Sequence, residues 1–203
     1  MPTDRRGRRS PGSPAGAAPV RRKERHVDWE PGARIHADHP FAPPAQQRSA
    51  VRRLRGRLAA GVTLWTALRG ADPVGLTVSS TVVADGEPPR LLGLVDEESA
   101  LWEGLAGTRR FAVAVLCAGD RQAADRFAGL FPAPGGPFRY GTWEGTPYGP
   151  VPADRTWAGC RVDATRRYGW AQLVEATVEA VSVGAEAPPL VHYRGQYRGL
   201  GDR

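Results

Sequence analysis

The sequence predicts a mainly β protein with short helices, and more specifically a β-barrel with helical additions. Apolar segments of strand length recur along the chain and are bounded by glycine and proline. They do not alternate regularly with helices, as the strands of a doubly wound α/β sheet would. The long segment 170–183 alternates apolar and polar side chains, which is typical of an antiparallel strand with one buried face.

The elements follow from local periodicity. A short amphipathic helix is predicted from residue 47 to Gly61, because Val51, Leu54 and Leu58 recur at helical spacing. Two further helices are predicted at 99–105, with Ser99 as N-cap, and at 120–130, with Asp120 as N-cap. The predicted strands are 62–68, 74–80, 91–95, 111–116, 138–143, 158–166, 170–183, 190–193 and 196–198.

Length and charge divide the chain into two parts. A chain of 203 residues suits one domain with an appendage. The formal net charge is +7, but residues 1–25 hold eight basic side chains against two acidic ones, a net of +6 that leaves +1 for the rest. We therefore predict a disordered basic arm, rich in arginine, proline and glycine, over residues 1–47, and a folded domain over 48–203. The nearly neutral folded part argues against specific nucleic-acid binding.

Missing motifs exclude several classes of function. No G-x-G-x-x-G follows a strand, and there is no P-loop and no G-x-S-x-G nucleophile elbow. His36 and His39 have no framework of cysteines or carboxylates, so no metal site is expected. No apolar run approaches the ~20 residues of a membrane span. Cys117 and Cys160 lie in apolar segments, and we expect them to stay reduced in a cytoplasmic protein.

Small hydroxyl side chains end the predicted strand 74–80: Thr77, Ser79 and Ser80. Short donors beside open backbone suit a phosphate or a polyol chain, although a plain β-hairpin with serines at its turn has the same pattern. No acid, base or nucleophile pair accompanies them, which is consistent with chemistry carried by a bound cofactor. These residues alone do not identify that cofactor.

Five motifs, taken in order, resemble the flavin reductase-like family. They are Leu58–Thr63 (LAAGVT), Gly75–Ser80 (GLTVSS), Glu87–Pro89 (EPP), Arg126–Gly129 (RFAG) and Tyr193–Arg198 (YRGQYR). The resemblance spans about residues 49–200 and implies an FMN-binding split β-barrel, usually a homodimer with the flavin near the interface. It implies that NAD(P)H transfers hydride to N5 of FMN or FAD without a catalytic side chain. In this family the reduced flavin often leaves for a partner flavin-dependent monooxygenase.

The resemblance also implies which residues hold the cofactor. Residues at the end of the first strand contact the phosphate, ribityl chain and ring through hydroxyls and backbone, and two residues of the next strand face the flavin. One hydroxyl lies in the following loop, and a helical segment closes over the cofactor. In chain order these residues are Thr77, Val78, Ser79, Ser80, Leu94, Val95, Ser99, Arg126 and Phe127.

The chain departs from the family pattern in three places. Where relatives often carry Phe-Thr-Ser after the two serines, it has Thr81-Val82-Val83, which loses polar contacts. Where relatives often carry Asp-Arg-Ser-Ser-Ser-Thr, it has Asp96–Leu101 (DEESAL), so Arg109, Arg110 or Arg126 would have to balance a phosphate. Where many carry Gly-Asp-His, it has Tyr-Gly-Trp, and Trp170 either stacks on a ring of the cofactor or packs in the core. Two alternatives to an NAD(P)H:flavin oxidoreductase therefore stay open: a flavin-binding accessory or carrier protein without turnover, and an enzyme that uses tightly bound FMN on a specialised small molecule.

Overall fold

A seven-stranded antiparallel sheet organises residues 50–200, the part of the chain that the structure, a computed structural model, describes. Its strands, in spatial order, are β3 (Asp72–Val78), β2 (Thr63–Arg69), β6 (Arg110–Val115), β9 (Trp157–Tyr168), β10 (Ala171–Ser182), β5 (Arg90–Val95) and β4 (Val82–Ala84). The sheet closes at Ser80, whose hydroxyl accepts a hydrogen bond from Leu94 N (2.9 Å) and donates one to Leu94 O (3.2 Å). The result is a barrel that is split between β3 and β5.

Trp65 fills the interior of the barrel. It is fully buried on β2 and stacks on Phe111 of β6, with ring centroids 4.7 Å apart. A Cβ on Gly93 of β5 would lie 2.5 Å from the Trp65 ring, so this position has room only for glycine. The indole Nε1 donates to the hydroxyls of Thr63 (3.1 Å) and Thr81 (3.0 Å), which satisfies the one polar atom of the buried ring.

A second core lies on the outer face of β2. It consists of Val62, Leu64, Leu116, Ala124, Phe127 and Leu190. The covering elements are α3 (Arg121–Phe127) and a three-stranded sheet of β1 (Ala60–Gly61), β11 (Leu190–Tyr193) and β12 (Gln196–Gly199). Both faces of β2 are therefore buried, which explains why its sequence shows no alternation.

The predicted helices are confirmed, with differences in their bonding. Ser99 caps α2 (Ala100–Thr108) by accepting a hydrogen bond from Trp102 N at 3.2 Å. Asp120 occupies the N-cap position of α3, but its carboxylate makes no cap bond there. It accepts instead from Cys117 N at 2.8 Å and from Arg155 at 2.8 and 2.9 Å. The first helix, α1 (Ala50–Arg57), is present and its apolar side chains are exposed, but its predicted end at Gly61 is wrong, since Ala60–Gly61 is strand β1.

The predicted strand 138–143 is wrong. A single helical turn, Pro137–Arg139, begins at a proline whose fixed φ suits a helix start, and only β7 (Trp143–Glu144) follows, paired with β8 (Val151–Pro152). The rings of Phe138 and Trp143 both pack on Phe127, at 4.8 and 5.6 Å between centroids, so burial of aromatic rings and not strand pairing decides this segment.

Two register shifts in the β9–β10 ladder change the alternation expected for 170–183. They lie between Glu175 and Ala176 and between Val178 and Ala180. Beyond the second shift Val181, which the alternation places among the apolar positions, is 63% exposed. The predicted arm at 1–47 lies outside the described residues. No helix within residues 50–200 is long and apolar enough to cross a membrane.

Candidate functional site

The split between β3 and β5 carries most of the predicted site on the outer face of the barrel. On β3, Val74, Leu76 and Val78 point inward and belong to the barrel core, which leaves the alternate positions facing outward. Thr77 is one of these outward positions, and Ser79 continues the same alternation. On β5 the neighbours of Leu94 are buried in the interior, so Leu94 faces outward across the split.

Helix α3 forms one wall beside the split. The Thr77 hydroxyl donates to Ala124 O at 2.8 Å, which ties the strand to the helix. A Cβ on Gly75 would lie 2.9 Å from the Phe127 ring, so the glycine allows the helix to pack closely on β3. Phe127 is 5% exposed, and its ring is committed to the second core.

The three hydroxyls at the end of β3 differ in how they are bonded. Thr77 and Ser80 are both engaged with protein backbone, at Ala124 and Leu94 respectively. The half-buried Ser79 hydroxyl has no hydrogen-bond partner among residues 50–200. Ser79 is therefore the hydroxyl of this group that is available to a ligand, whereas the other two hold the walls in place.

The loop after β5 is acidic and internally bonded. Ser99 donates its hydroxyl to Asp96 O at 2.6 Å, and the Asp96 carboxylate accepts from Glu98 N at 3.0 Å. Glu97 accepts a bond from the side-chain amide of Gln172 at 2.9 Å. Three carboxylates in this loop disfavour a phosphate, so phosphate charge has to be balanced elsewhere.

Arg126 is the one of the three suggested arginines that lies beside the split. Arg109 and Arg110 belong to the β6 wall, which is separated from β5 by β9 and β10, and they contact Asp163 O (2.9 Å) and Glu179 (3.6 Å) respectively. The Arg126 guanidinium lies 4.3 Å from the ring centroid of Tyr140, and its Nε is buried with no hydrogen-bond partner within residues 50–200. A buried donor without a partner marks a place where a bound acceptor would be stabilised.

The β9–β10 hairpin borders the site on the other side. In the register of the sheet Leu94 pairs with Leu173, and Leu173 pairs with Arg166, so these three side chains form a row on the outer face. Trp170 lies in the hairpin turn and is 40% exposed, which excludes packing in the barrel core. Part of its ring therefore faces solvent.

Comparison with known proteins gives the family of this chain. Residues 55–201 match the flavin reductase like domain. The chain belongs to this family. The reductase component of 4-hydroxyphenylacetate 3-monooxygenase from Thermus thermophilus is 31% identical over 153 residues, which cover 75% of this chain and 97% of that protein. The flavin reductase (NADH) of Kitasatospora aureofaciens is 35% identical over 151 residues, covering 71% and 77%.

Solved structures of flavin reductases share the fold. The NADH:FAD oxidoreductase of Streptomyces globisporus matches with a TM-score of 0.69 at 26% identity, over 79% of this chain and 100% of that one. The family resemblance and the split-barrel fold predicted from the sequence are thus confirmed. Flavin and NADH, both expected from the resemblance, appear in the names of these relatives.

The residues present fit a flavin. The apolar side chains of Leu94 and Leu173 offer a surface for a ring, Ser79 offers a hydroxyl, and Arg126 offers a buried donor without a partner. Three of the nine family-implied residues, Val78, Val95 and Phe127, have side chains buried in the two cores, so only their backbone can reach a ligand. The contacts of individual residues with flavin stay a prediction.

Sequence reasoning did not find Leu173, Arg166 or Tyr140. The first two reach the site through strand register, and Tyr140 reaches it through the irregular segment after α3. The alternation of apolar and charged side chains in segment 170–183 is visible in the sequence. The sequence does not show which residues of the neighbouring strands pair with them.

Proposed function

We propose that this protein is an NADH:flavin oxidoreductase that holds FMN or FAD at the split between β3 and β5. The supporting observation is the combination found there: the half-buried Ser79 hydroxyl without a partner in residues 50–200, the apolar pair Leu94 and Leu173, and the half-buried Arg126, whose buried Nε has no partner in residues 50–200. The hydride chemistry is supplied by the flavin, at its N5 atom, when it is bound. The relatives that are named as NADH-dependent flavin reductases favour NADH as the reductant.

The residues of this chain position the flavin and its reductant. Ser79 donates to the cofactor, while Thr77 and Ser80 keep α3 and β5 at fixed distances through their backbone bonds. Leu94 and Val95 present the strand that the ring covers, and Ser99 orders the loop beside it. Arg126 balances phosphate charge from α3, and Trp170 stacks at the hairpin. Since no side chain acts as acid or base, the rate depends on orientation.

A homodimer and a partner flavin-dependent enzyme complete the proposal. Val51 and Leu54 on α1, and Leu58 directly after it, are 56–62% exposed. Val82 and Val83 are 57% and 66% exposed on the edge strand β4. Apolar side chains grouped in this way are typical of an interface between subunits. The Thermus thermophilus relative is the reductase component of a monooxygenase, which supports a role in supplying reduced flavin. Two free cysteines support a cytoplasmic location.

The test is a flavin-dependent NADH oxidation assay. Purified protein is mixed with NADH and FMN or FAD, and the nicotinamide absorbance is followed together with flavin binding by fluorescence quenching. We expect binding and turnover for at least one flavin. Binding without NADH oxidation would replace the reductase by the carrier alternative, and no binding of either flavin would reject the site.

A further inference from the structure

The tip of the β9–β10 hairpin exposes two aromatic rings. Strand β9 ends at Tyr168 and β10 begins at Ala171, so the turn consists of Gly169, at φ 63°, and Trp170. Tyr168 is 58% exposed and Trp170 is 40% exposed. Exposed rings on either side of a tight turn form a surface on which a nucleic-acid base can stack.

Two arginines accompany these rings. The Arg166 guanidinium lies 5.5 Å from the ring centroid of Tyr168. Its Nε lies 3.3 Å from a carboxylate oxygen of Glu175. Arg167 pairs with Gln172 and so lies on the other face of the hairpin from Arg166 and Tyr168. It is exposed, and within the described part of the chain its side chain makes no hydrogen bond or ion pair. The hairpin therefore combines stacking surfaces with a cation that is not already neutralised.

The hairpin tip adjoins the proposed flavin site. Gln172 pairs with Val95, and its amide donates to Glu97, so the turn stands beside the loop that follows β5. Tyr168 lies two residues beyond Arg166, the end of the row that starts at Leu94, which is a step of ~7 Å along the strand. A ligand whose ring lies at the split can therefore extend across the row to the hairpin tip.

The charges beside the split direct a diphosphate toward this hairpin. Asp96, Glu97 and Glu98 repel anions from the loop after β5. Arg166 and Arg167 lie on opposite faces of the adjoining hairpin, and both carry the opposite sign. An anionic group that crosses this surface is thus stabilised on the hairpin side and destabilised on the loop side.

We propose that the tip of the β9–β10 hairpin, formed by Arg166, Arg167, Tyr168 and Trp170, binds the adenosine diphosphate half of a dinucleotide. Tyr168 and Trp170 stack on the adenine, Arg166 contacts the diphosphate on the outer face, and the charge of Arg167 attracts the diphosphate from the other face of the tip. The inference rests on the proposed function, in which two dinucleotides, NADH and FAD, share this chemical group. The hairpin then determines the preference for dinucleotide over mononucleotide forms.

The experiment compares four substrate pairs in the full chain. NADH or reduced nicotinamide mononucleotide is the donor, and FMN or FAD is the acceptor. The donor ratio is kcat/KM for NADH divided by kcat/KM for the reduced mononucleotide. The acceptor ratio is kcat/KM for FAD divided by kcat/KM for FMN. Tyr168→Ala and Arg167→Gln are the test variants, and Tyr168→Phe is the conservative variant. Tyr193→Ala is the aromatic control, since Arg194 lies at the same 5.5 Å from the Tyr193 ring in the separate three-stranded sheet. Arg198→Gln in that sheet is the charge control.

We expect Tyr168→Ala to lower one preference ratio about fivefold or more, and Arg167→Gln to lower the same ratio. A fall in the donor ratio assigns the site to NADH, and a fall in the acceptor ratio assigns it to FAD. Tyr168→Phe and both controls should keep the wild-type ratios. Unchanged ratios in both test variants, with circular dichroism and melting temperature as in the wild type, would overturn the proposal.

Failure of the proposed function gives a different result. If the wild type oxidises no nicotinamide donor, binding of adenosine diphosphate is measured directly by calorimetry in the same variants. Weaker binding in Tyr168→Ala, with Tyr193→Ala unchanged, then supports the hairpin site without turnover. No detectable binding to the wild type at millimolar nucleotide would reject the hairpin site as well.

Discussion

The split region and an ion-pair network farther along the outer face of the barrel differ in how far their polar groups are satisfied. On the outer face of β6, β9, β10 and β5, five charged residues form an ion-pair network: Arg90, Arg110, Arg161, Asp163 and Glu179. Asp163 alone accepts from Arg161 at 2.7 Å, Thr177 at 2.7 Å and Arg90 at 3.1 Å. Beside the split, the Ser79 hydroxyl and the Arg126 Nε have no partner in the described part of the chain.

This difference separates residues that stabilise the fold from residues that await a ligand. A folded chain rarely leaves polar groups unsatisfied unless another molecule completes their bonding. The network already has its partners, so its loss should lower stability and leave flavin binding intact. The groups at the split should behave in the opposite way.

Removing the centre of the ion-pair network should have the largest effect on stability. Asp163→Ala leaves the buried Thr177 hydroxyl without its acceptor and removes one partner from each of two arginines. We expect the free energy of unfolding to fall by about 2–3 kcal/mol in urea denaturation. Asp72→Ala, an exposed aspartate of β3, is the control and should change it by less than ~0.5 kcal/mol. A changed flavin dissociation constant in Asp163→Ala would contradict the separation of fold-stabilising residues from ligand-binding residues.

The double variant Thr77→Ala with Ser80→Ala should affect both properties. The two hydroxyls hold α3 and β5 beside the split, so stability should fall by ~1 kcal/mol for each hydrogen-bonding side chain lost. Flavin affinity should fall several-fold because the walls are no longer fixed. Thermal melting and fluorescence titration measure the two effects, and an unchanged dissociation constant would show that these hydroxyls are structural only.

Ser79→Ala should weaken flavin binding without a change in stability. The variant removes a hydroxyl that has no protein partner within residues 50–200, so the melting temperature should stay within 1 °C of the wild type, or about 0.2 kcal/mol. The flavin dissociation constant should rise about fivefold, the equivalent of one hydrogen bond. Ser182→Ala, at the exposed end of β10, is the matched control. A lower melting temperature with unchanged flavin affinity would show that the Ser79 hydroxyl stabilises the fold and does not bind the flavin.

The cysteines should react with alkylating reagents at different rates. Burial, and next the negative charge of Glu179, raise the pKa of Cys160 to about 12, so its thiol stays protonated at neutral pH. Cys117 is partly exposed. Native protein treated with iodoacetamide at pH 8 should be modified at Cys117 first, as seen by peptide mass spectrometry. Equal labelling of both would show that the barrel core opens on the timescale of the reaction.

Asp125→Asn should stabilise the α3 wall slightly, in a pH-dependent way. Burial raises the pKa of Asp125 above its usual 3.8, against the opposing charge of Arg121. The folded protein therefore loses stability as the pH rises from 3.8 through the raised pKa, and the loss is constant above it. Because Asp125 is only partly buried, solvent screening keeps the gain small. The variant should be slightly more stable at pH 7 and gain nothing below pH 3.8. Urea midpoints at several pH values measure the gain, and a variant less stable at pH 7 would contradict it.

The sequence predicted most elements because apolar periodicity is local, and it predicted the hydroxyls at the split because they are consecutive. It could not predict what those hydroxyls bond. The Ser80 contact with Leu94 and the row from Leu94 through Leu173 to Arg166 depend on strand register between segments that lie far apart in the chain. The register shifts near Glu175 and Glu179 have no local signal. The segment 138–143 was mistaken for a strand because ring packing on Phe127 decides it.

Closure by the Ser80 side chain gives the barrel wall one mechanically weak line. Every other contact between neighbouring strands of the main sheet in residues 50–200 is a ladder of backbone hydrogen bonds, which separates only when several bonds break together. Along this line a single side-chain rotation breaks both bonds to Leu94. The amide proton of Leu94 should therefore exchange with solvent by a local fluctuation, far faster than its neighbours on β5.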